Sequence, residues 1–258
     1  GFASLRYDKR VTGHHASENV QALMGRLSMR SHRDELASAI RTLADQTFVR
    51  ADRIFGLGNS EGTLHLLNYQ LAQPAIPLAG LVLTGPPGRP VGAVARTQLA
   101  EQAAAIPNGG ALLALYDQAI GRFEVGEPAN PDPALPESVQ LIFKSLEAPA
   151  NLPFARELWV AEAATPLARL DIPVLVMIGQ KDVQVDWRVD GVPLEQAASG
   201  KANVTFSFPE HANHVLKEEL RPRSELVPAA AELGYNGPDA RLDPDALAVI
   251  LDWLIAHI

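Results

Sequence analysis

Short apolar runs that alternate with amphipathic stretches constrain the fold of this chain more than any other feature. Each run is bounded by Gly, Pro or charged residues, and the runs predict five strands, at 1–7, 52–58, 78–85, 172–179 and 203–208. Apolar residues at helical spacing predict helices at 33–46, 63–73 and 243–258. Alternating strands and helices are typical of a parallel sheet covered by helices. The predicted fold class is therefore α/β, with a mostly parallel sheet and flanking helices.

The alternation stops between the third and fourth predicted strands. Three helical patterns occur there, at 93–106, 111–123 and 136–148, and the Pro-rich tract 126–137 interrupts them. No convincing strand accompanies them. We predict a core formed by 1–88 and 166–258, with a helical lid inserted at 89–165.

Composition excludes several classes of function. The 258 residues carry a formal net charge of −8, whereas general nucleic-acid binders and proteins of anionic membrane surfaces need basic patches. No apolar run approaches the roughly 20 residues of a membrane span. The absence of cysteine excludes disulfides, thiolate catalysis and zinc-cysteine sites. We predict no nucleic-acid partner, no membrane partner, no cofactor and no metal, and the sequence does not assign a compartment.

The stretch Gly-Asn-Ser-Glu-Gly, residues 58–62, falls between a predicted strand and a predicted helix. A turn between these elements is so sharp that side chains on either side of Ser60 would collide, which would explain Gly58 and Gly62. The hydroxyl of Ser60 would then stand clear of the turn, and the N-terminal amides of the helix would face the same point. We predict that Ser60 is a nucleophile; the alternative is a helix N-cap in a glycine-rich turn.

A serine nucleophile needs a base and a group that orients the base. Among the seven histidines, only His211 and His214 lie in a loop after a late predicted strand. Their spacing could also suggest a metal pair, although no third ligand is evident. Asp182 follows the fourth predicted strand, where a carboxylate would point into the crevice of an open sheet, and Asp186 is the alternative acid.

Together these residues resemble the α/β-hydrolase superfamily, and they look most like bacterial serine esterases with a helical lid. The resemblance runs over nearly the whole chain. Residues 5–10 look like the family's motif at a strand end, 58–62 match the elbow, 170–182 resemble the acid strand and loop, and 213–214 match the histidine loop. Asn59 departs from the pattern, because histidine is more usual at that position.

This resemblance implies a role for four residues. Ser60 would be the nucleophile, His214 the general base, and Asp182 the acid that orients the base. The backbone amide of Glu61 would be one oxyanion donor.

The start of the chain also departs from the family. Residues 1–7 resemble the fourth strand of the family's sheet, and the first three strands have no counterpart here. The loop that usually carries the second oxyanion donor is missing with them. The resemblance implies a gap between 2–7 and 53–57, with unpaired backbone on both sides. We therefore predict that an upstream segment of the same gene product completes the sheet and supplies the second donor.

The predicted function is a serine esterase that hydrolyses small carboxylic esters through an acyl-enzyme. Aromatic residues in the predicted lid either line an apolar substrate pocket or simply pack the lid: Tyr116, Phe123, Phe143, Phe154 and Trp159. Within the same fold, a peptidase, thioesterase or lactonase is the alternative. From a different class, the alternative is a non-catalytic binding module on a hydrolase scaffold.

Overall fold

The computed structural model describes residues 1–226 and 235–258. The chain divides into two compact units. The first comprises Gly1–Arg6, Arg33–Pro90 and Ala161–Ile258, and the second comprises Tyr7–His32 and Val91–Val160. The assignment of 89–165 as a lid stays a prediction.

A parallel sheet forms the centre of the first unit. Its four strands are β1 (Phe55–Asn59), β2 (Gly80–Thr84), β3 (Val174–Met177) and β4 (Val204–Ser207). They pair in the order β1-β2-β3-β4, and each pair is parallel. A helix lies in sequence between each strand and the next, so the predicted α/β class with a parallel sheet is confirmed.

The α-helices of the described residues agree with the helical patterns of the sequence and add several short helices. They are α1 (Ala16–Ala22), α2 (Met29–Ala44), α3 (Glu61–Leu71), α4 (Val91–Ala104), α5 (Gly109–Glu124), α6 (Glu137–Leu146), α7 (Leu152–Trp159), α8 (Ala164–Ala168), α9 (Gly191–Ala197) and α10 (Pro244–His257). Helix α10 begins as its sequence indicates. Asp243 is its N-cap and accepts a hydrogen bond from the amide of Ala246 at 2.8 Å. None of the helices in this part of the chain is both long and apolar enough to cross a membrane.

One strand prediction is wrong. Residues 1–7 form no strand, and their side chains are exposed. An extended segment becomes a strand only when its backbone pairs with a neighbour, and no ladder reaches these residues. The second predicted strand also starts late, because Ala51–Arg53 form a turn of 3₁₀-helix before β1.

Helices lie against both faces of the sheet, and β1 forms one of its two edges. Every residue of β2 and β3 is buried. In β1, Phe55 contacts Trp253 of α10, whereas a Cβ at the neighbouring Gly56 would touch Leu66 of α3. Because successive strand residues face opposite sides, α3 and α10 cover opposite faces of the sheet. Leu57 in β1 stays 61% exposed. Because 1–7 form no strand, the described residues do not have the predicted gap between strands at 2–7 and 53–57. That a further segment completes the sheet stays a prediction.

The second unit has its own apolar core, built largely from helices α4 to α7. The five aromatic residues considered for a substrate pocket are all buried: Tyr116, Phe123, Phe143, Phe154 and Trp159. Four of them belong to one hydrophobic cluster, in which Phe123 and Trp159 meet edge to face. The structure therefore supports packing within the helical segment as their role.

Candidate active site

Ser60 lies at a sharp junction between β1 and α3, since β1 ends at Asn59 and α3 begins at Glu61. Its backbone has φ 54° and ψ −121°, a conformation that non-glycine residues rarely adopt. Its amide donates to the carbonyl of Thr84 at 2.8 Å, and its carbonyl accepts from the amide and the hydroxyl of Thr63. The hydroxyl of Ser60 makes no capping hydrogen bond to α3. The backbone of Ser60 is thus fixed from both sides, while its side chain plays no part in holding the helix.

The two glycines that flank Ser60 are not equivalent. A Cβ on Gly58 would lie 2.7 Å from the backbone carbon and oxygen of Gly62, so only glycine fits at position 58. A Cβ on Gly62 would meet no atom within 4 Å. The predicted collision therefore exists on one side of the elbow only. It arises because the strand, which carries Gly58, passes against the first turn of the helix.

Asp182 and His214 form a buried pair. His214 Nδ1 donates to Asp182 Oδ2 at 2.8 Å, and the side chain of Asp182 is fully buried. The other carboxylate oxygen, Oδ1, accepts from the backbone amides of Gln184 at 2.8 Å and Val185 at 2.9 Å. These three donors hold the carboxylate in one orientation. Since Nδ1 faces the carboxylate, Nε2 is the ring nitrogen left for a substrate or a nucleophile.

The alternative acid and the alternative histidine are placed differently. Asp186 forms an ion pair with Arg223, whose guanidinium also donates to the backbone carbonyl of Asp182. His211 makes no hydrogen bond through its buried Nδ1. Across the described residues, no group of three or more His, Cys, Asp or Glu is arranged to hold a metal ion. The structure thus brings Asp182, and not Asp186, against a histidine.

The Asp182–His214 pair and the turn at Ser60 both lie at the carboxyl end of β2. Gly85, the residue after β2, has φ +56°, and a Cβ there would lie 3.1 Å from the ring of His214 and 3.5 Å from Asp182 Oδ2. The preceding residue, Thr84, accepts the hydrogen bond from the amide of Ser60. Ser60 and His214 therefore adjoin consecutive residues of one strand end. Strand ends of this kind form the binding crevice of open parallel sheets.

Glu61 is the first residue of α3. Its amide therefore lies at the N-terminal end of the helix, where the N–H groups point outward along the helix axis. Its carboxylate lies 2.7 Å from His65 Nε2, one helical turn further on. The sequence analysis did not use this pair, although the spacing of four residues could have revealed it. From the sequence, Asn59 is only a departure from the family's pattern; in the structure its side-chain amide donates to the carbonyl of His214.

Comparison of sequences finds no match, whereas comparison of structures does. No protein-family model matches the chain. No curated protein matches it at a significant level either. Among solved structures, the Mycobacterium tuberculosis protein BpoC, provisionally assigned as a non-heme bromoperoxidase, is 14% identical with a TM-score of 0.51. The match covers 97% of this chain and 80% of BpoC.

A monoacylglycerol lipase of Paleococcus ferrophilus is 18% identical over 91% of this chain and 77% of the lipase, with a TM-score of 0.46. An esterase of Thermogutta terrifontis is 21% identical over 73% of this chain and 66% of its own, with a TM-score of 0.40. Identities this low bear on the fold alone. With the parallel strand order, the likeness to BpoC shows that the chain has the α/β-hydrolase fold.

Proposed function

We propose that this protein is a serine hydrolase that cleaves small carboxylic esters through an acyl-enzyme. Ser60 is the nucleophile, His214 the general base, and Asp182 the acid that orients it. The observation that carries the proposal is a serine in strained backbone geometry beside the strand end that also contacts a buried Asp–His pair. Strain of this kind is typical of functional sites. A serine that served only as a helix cap would need no such pair.

The hydrogen bonds of the pair support one direction of proton transfer. Asp182 accepts a hydrogen bond from the Nδ1–H of His214, so the neutral ring keeps its free electron pair on Nε2. Nε2 takes the proton of the Ser60 hydroxyl as the serine oxygen attacks the ester carbonyl. The imidazolium then gives that proton to the alcohol leaving group, and the acyl group remains on Ser60. Water then attacks the acyl group in the same way. His214 takes a proton from the water and returns a proton to Ser60 as the acid is released.

The oxyanion that forms during each attack lies in front of α3. The amide of Glu61 is the donor that we propose for it, and the positive end of the helix dipole adds to its effect. The second donor of the family's oxyanion site is not assigned to a residue of this chain. Its supply by a further segment of the gene product, together with the completing strand, is part of the proposal.

Labelling with a fluorophosphonate probe tests the proposal directly. The wild-type protein should take up one probe per chain, at Ser60, and should hydrolyse p-nitrophenyl acetate and butyrate. Ser60→Ala should lose both reactions. Ser38→Ala is the matched control, because Ser38 lies on α2, where its hydroxyl donates to a carbonyl within the same helix. Wild-type protein that neither labels nor hydrolyses would support the alternative of a non-catalytic binding module.

A substrate panel separates the esterase from its alternatives. Matched acyl groups should be offered as a p-nitrophenyl ester, a thioester, an amide of a short peptide and a lactone. The proposal predicts the highest kcat/KM for the ester. A higher value for another member would reassign the protein as a thioesterase, peptidase or lactonase and leave the roles of Ser60, His214 and Asp182 unchanged.

A further inference from the structure

Asn59 joins three parts of the site through one side-chain amide. Its Nδ2 donates to the carbonyl of His214 at 2.8 Å, to the hydroxyl of Thr84 at 3.1 Å and to the carbonyl of Thr84 at 3.3 Å. Asn59 immediately precedes Ser60, but it is 155 positions from His214 along the chain. One residue thus connects the serine elbow, the end of β2 and the histidine loop.

The direction of these hydrogen bonds is unambiguous. Two of the three partners are backbone carbonyl oxygens, which only accept, so the NH₂ group of Asn59 must face them. An NH₂ group has two hydrogens. The shortest contact, to His214, takes one hydrogen, and the two contacts with Thr84 share the other.

The hydrogen bond to His214 differs in kind from the one that Asp182 makes. Asp182 orients the ring through Nδ1, whereas Asn59 holds the main chain of the same residue. The carbonyl of Thr84 accepts from Asn59 and also from the amide of Ser60. The position of the imidazole relative to the serine is therefore set by a short path of hydrogen bonds that runs through Asn59.

We propose that Asn59 is a positioning residue that holds the main chain of His214 at a fixed distance from Ser60. This inference rests on the proposed function and adds to it a residue outside the three named for catalysis. The hydrogen bond supplies geometry, and it takes no part in proton transfer. Displacements of about 1 Å in a site can lower a rate on the order of a hundredfold. The hydrogen bond from Asn59 to His214, here called the tether, can therefore affect the rate on its own.

Asn59→Asp and Asn59→Ala remove the donor in two different ways. Aspartate keeps the shape of the side chain but has no hydrogen to give, and its oxygens would face carbonyl oxygens. Asn59→His is the conservative variant, because its Nδ1–H stands as many bonds from Cα as Nδ2 does in asparagine. The matched control is Asn203→Ala. The amide of Asn203 also donates to two backbone carbonyls, those of Leu170 and Ile172, at the start of β4.

Two measurements distinguish positioning from general stabilisation. With a short p-nitrophenyl ester, Asn59→Asp should lower kcat about 10- to 100-fold and change KM by less than about twofold, because only the reacting geometry is altered. Asn59→His should recover part of kcat. Amide hydrogen exchange in 211–217 should speed up by about tenfold in Asn59→Ala, since local opening becomes easier. Asn203→Ala should leave kcat and this exchange unchanged.

An unchanged kcat in Asn59→Asp, or a loss no larger than that of Asn203→Ala, would overturn the inference while the proposed function stands. If the wild-type protein neither labels nor hydrolyses, the proposed function fails, and the exchange measurement still decides about the tether. Exchange in 211–217 that stays at the wild-type rate in Asn59→Ala would overturn the tether whatever the activity.

Discussion

The unequal glycines at the elbow give a sharp test of how the site is built. Gly58→Ala places a methyl group 2.7 Å from two backbone atoms of Gly62 and 2.8 Å from Leu66 Cδ1. Leu66 can adjust its rotamer, but the backbone at the start of α3 cannot move without moving the helix. Overpacking in a core typically costs about 1–3 kcal/mol, and an obstacle made of backbone puts this variant at about 3 kcal/mol.

Gly62→Ala is the opposite case. A Cβ there meets no atom within 4 Å, and Gly62 is the second residue of α3. Alanine forms helices better than glycine by about 1 kcal/mol, so this variant should be unchanged or more stable by up to about that amount. The pair of variants thus places the same methyl group on either side of one serine and should give opposite results.

Urea denaturation measures both free energies of unfolding, and p-nitrophenyl acetate hydrolysis measures the site. Gly58→Ala should shift the urea midpoint down by about 1–3 M for an m value of about 1–3 kcal/mol/M, and it should lose nearly all activity. Gly62→Ala should keep its midpoint and an active site that labels with a fluorophosphonate. Equal destabilisation by the two substitutions would refute the conclusion that Gly58, and not Gly62, is packed against backbone atoms.

Three further predictions concern the charged groups. Asp182→Asn should lower kcat by at least about a thousandfold, because the amide favours the wrong tautomer of His214, whereas Asp186→Asn should keep most of the activity; the reverse result would mean that Asp186 is the acid. His214→Gln should lose nearly all hydrolysis, because it removes the base, and a rate above about a tenth of the wild-type rate would argue against His214 in that role. Arg89→Met should lower the free energy of unfolding in urea by about 2–4 kcal/mol, because it leaves the fully buried Asp190 without the guanidinium that now contacts both of its oxygens; a change below about 1 kcal/mol would show that other groups satisfy this carboxylate.

The central strands could be predicted from the sequence because their environment is uniform. Every residue of β2 and β3 is buried, so each reads as an unbroken apolar run bounded by Gly or Pro. Helices α3 and α10 could be predicted equally well, because each has an apolar face directed at the sheet. Short helices such as α9 were not predicted, because seven residues give too few turns for a periodic pattern to be recognised.

The parts of the site were predictable only as far as strand ends and loops could be located. The sequence placed Asp182 and His214 after consecutive strands, and parallel strands bring their carboxyl ends to the same edge of the sheet. It could not choose firmly between Asp182 and Asp186, because the two lie four residues apart in one loop and only the loop's path decides which faces His214. The contact from Asn59 to the carbonyl of His214 could not be predicted from the sequence for the same reason.

The wrong prediction at 1–7 has a physical explanation. Residues 1–7 have the apolar content of a strand, but propensity contributes less to a strand than the pairing of its backbone groups. The strands that became β1 to β4 each have a parallel neighbour, and residues 1–7 have none. Phe2 and Tyr7 are therefore exposed. Leu57 is exposed as well, on β1, which is one of the two edge strands of the sheet. A sheet edge offers unpaired N–H and C=O groups to any extended segment, so the outer side of β1 is where a completing strand would pair.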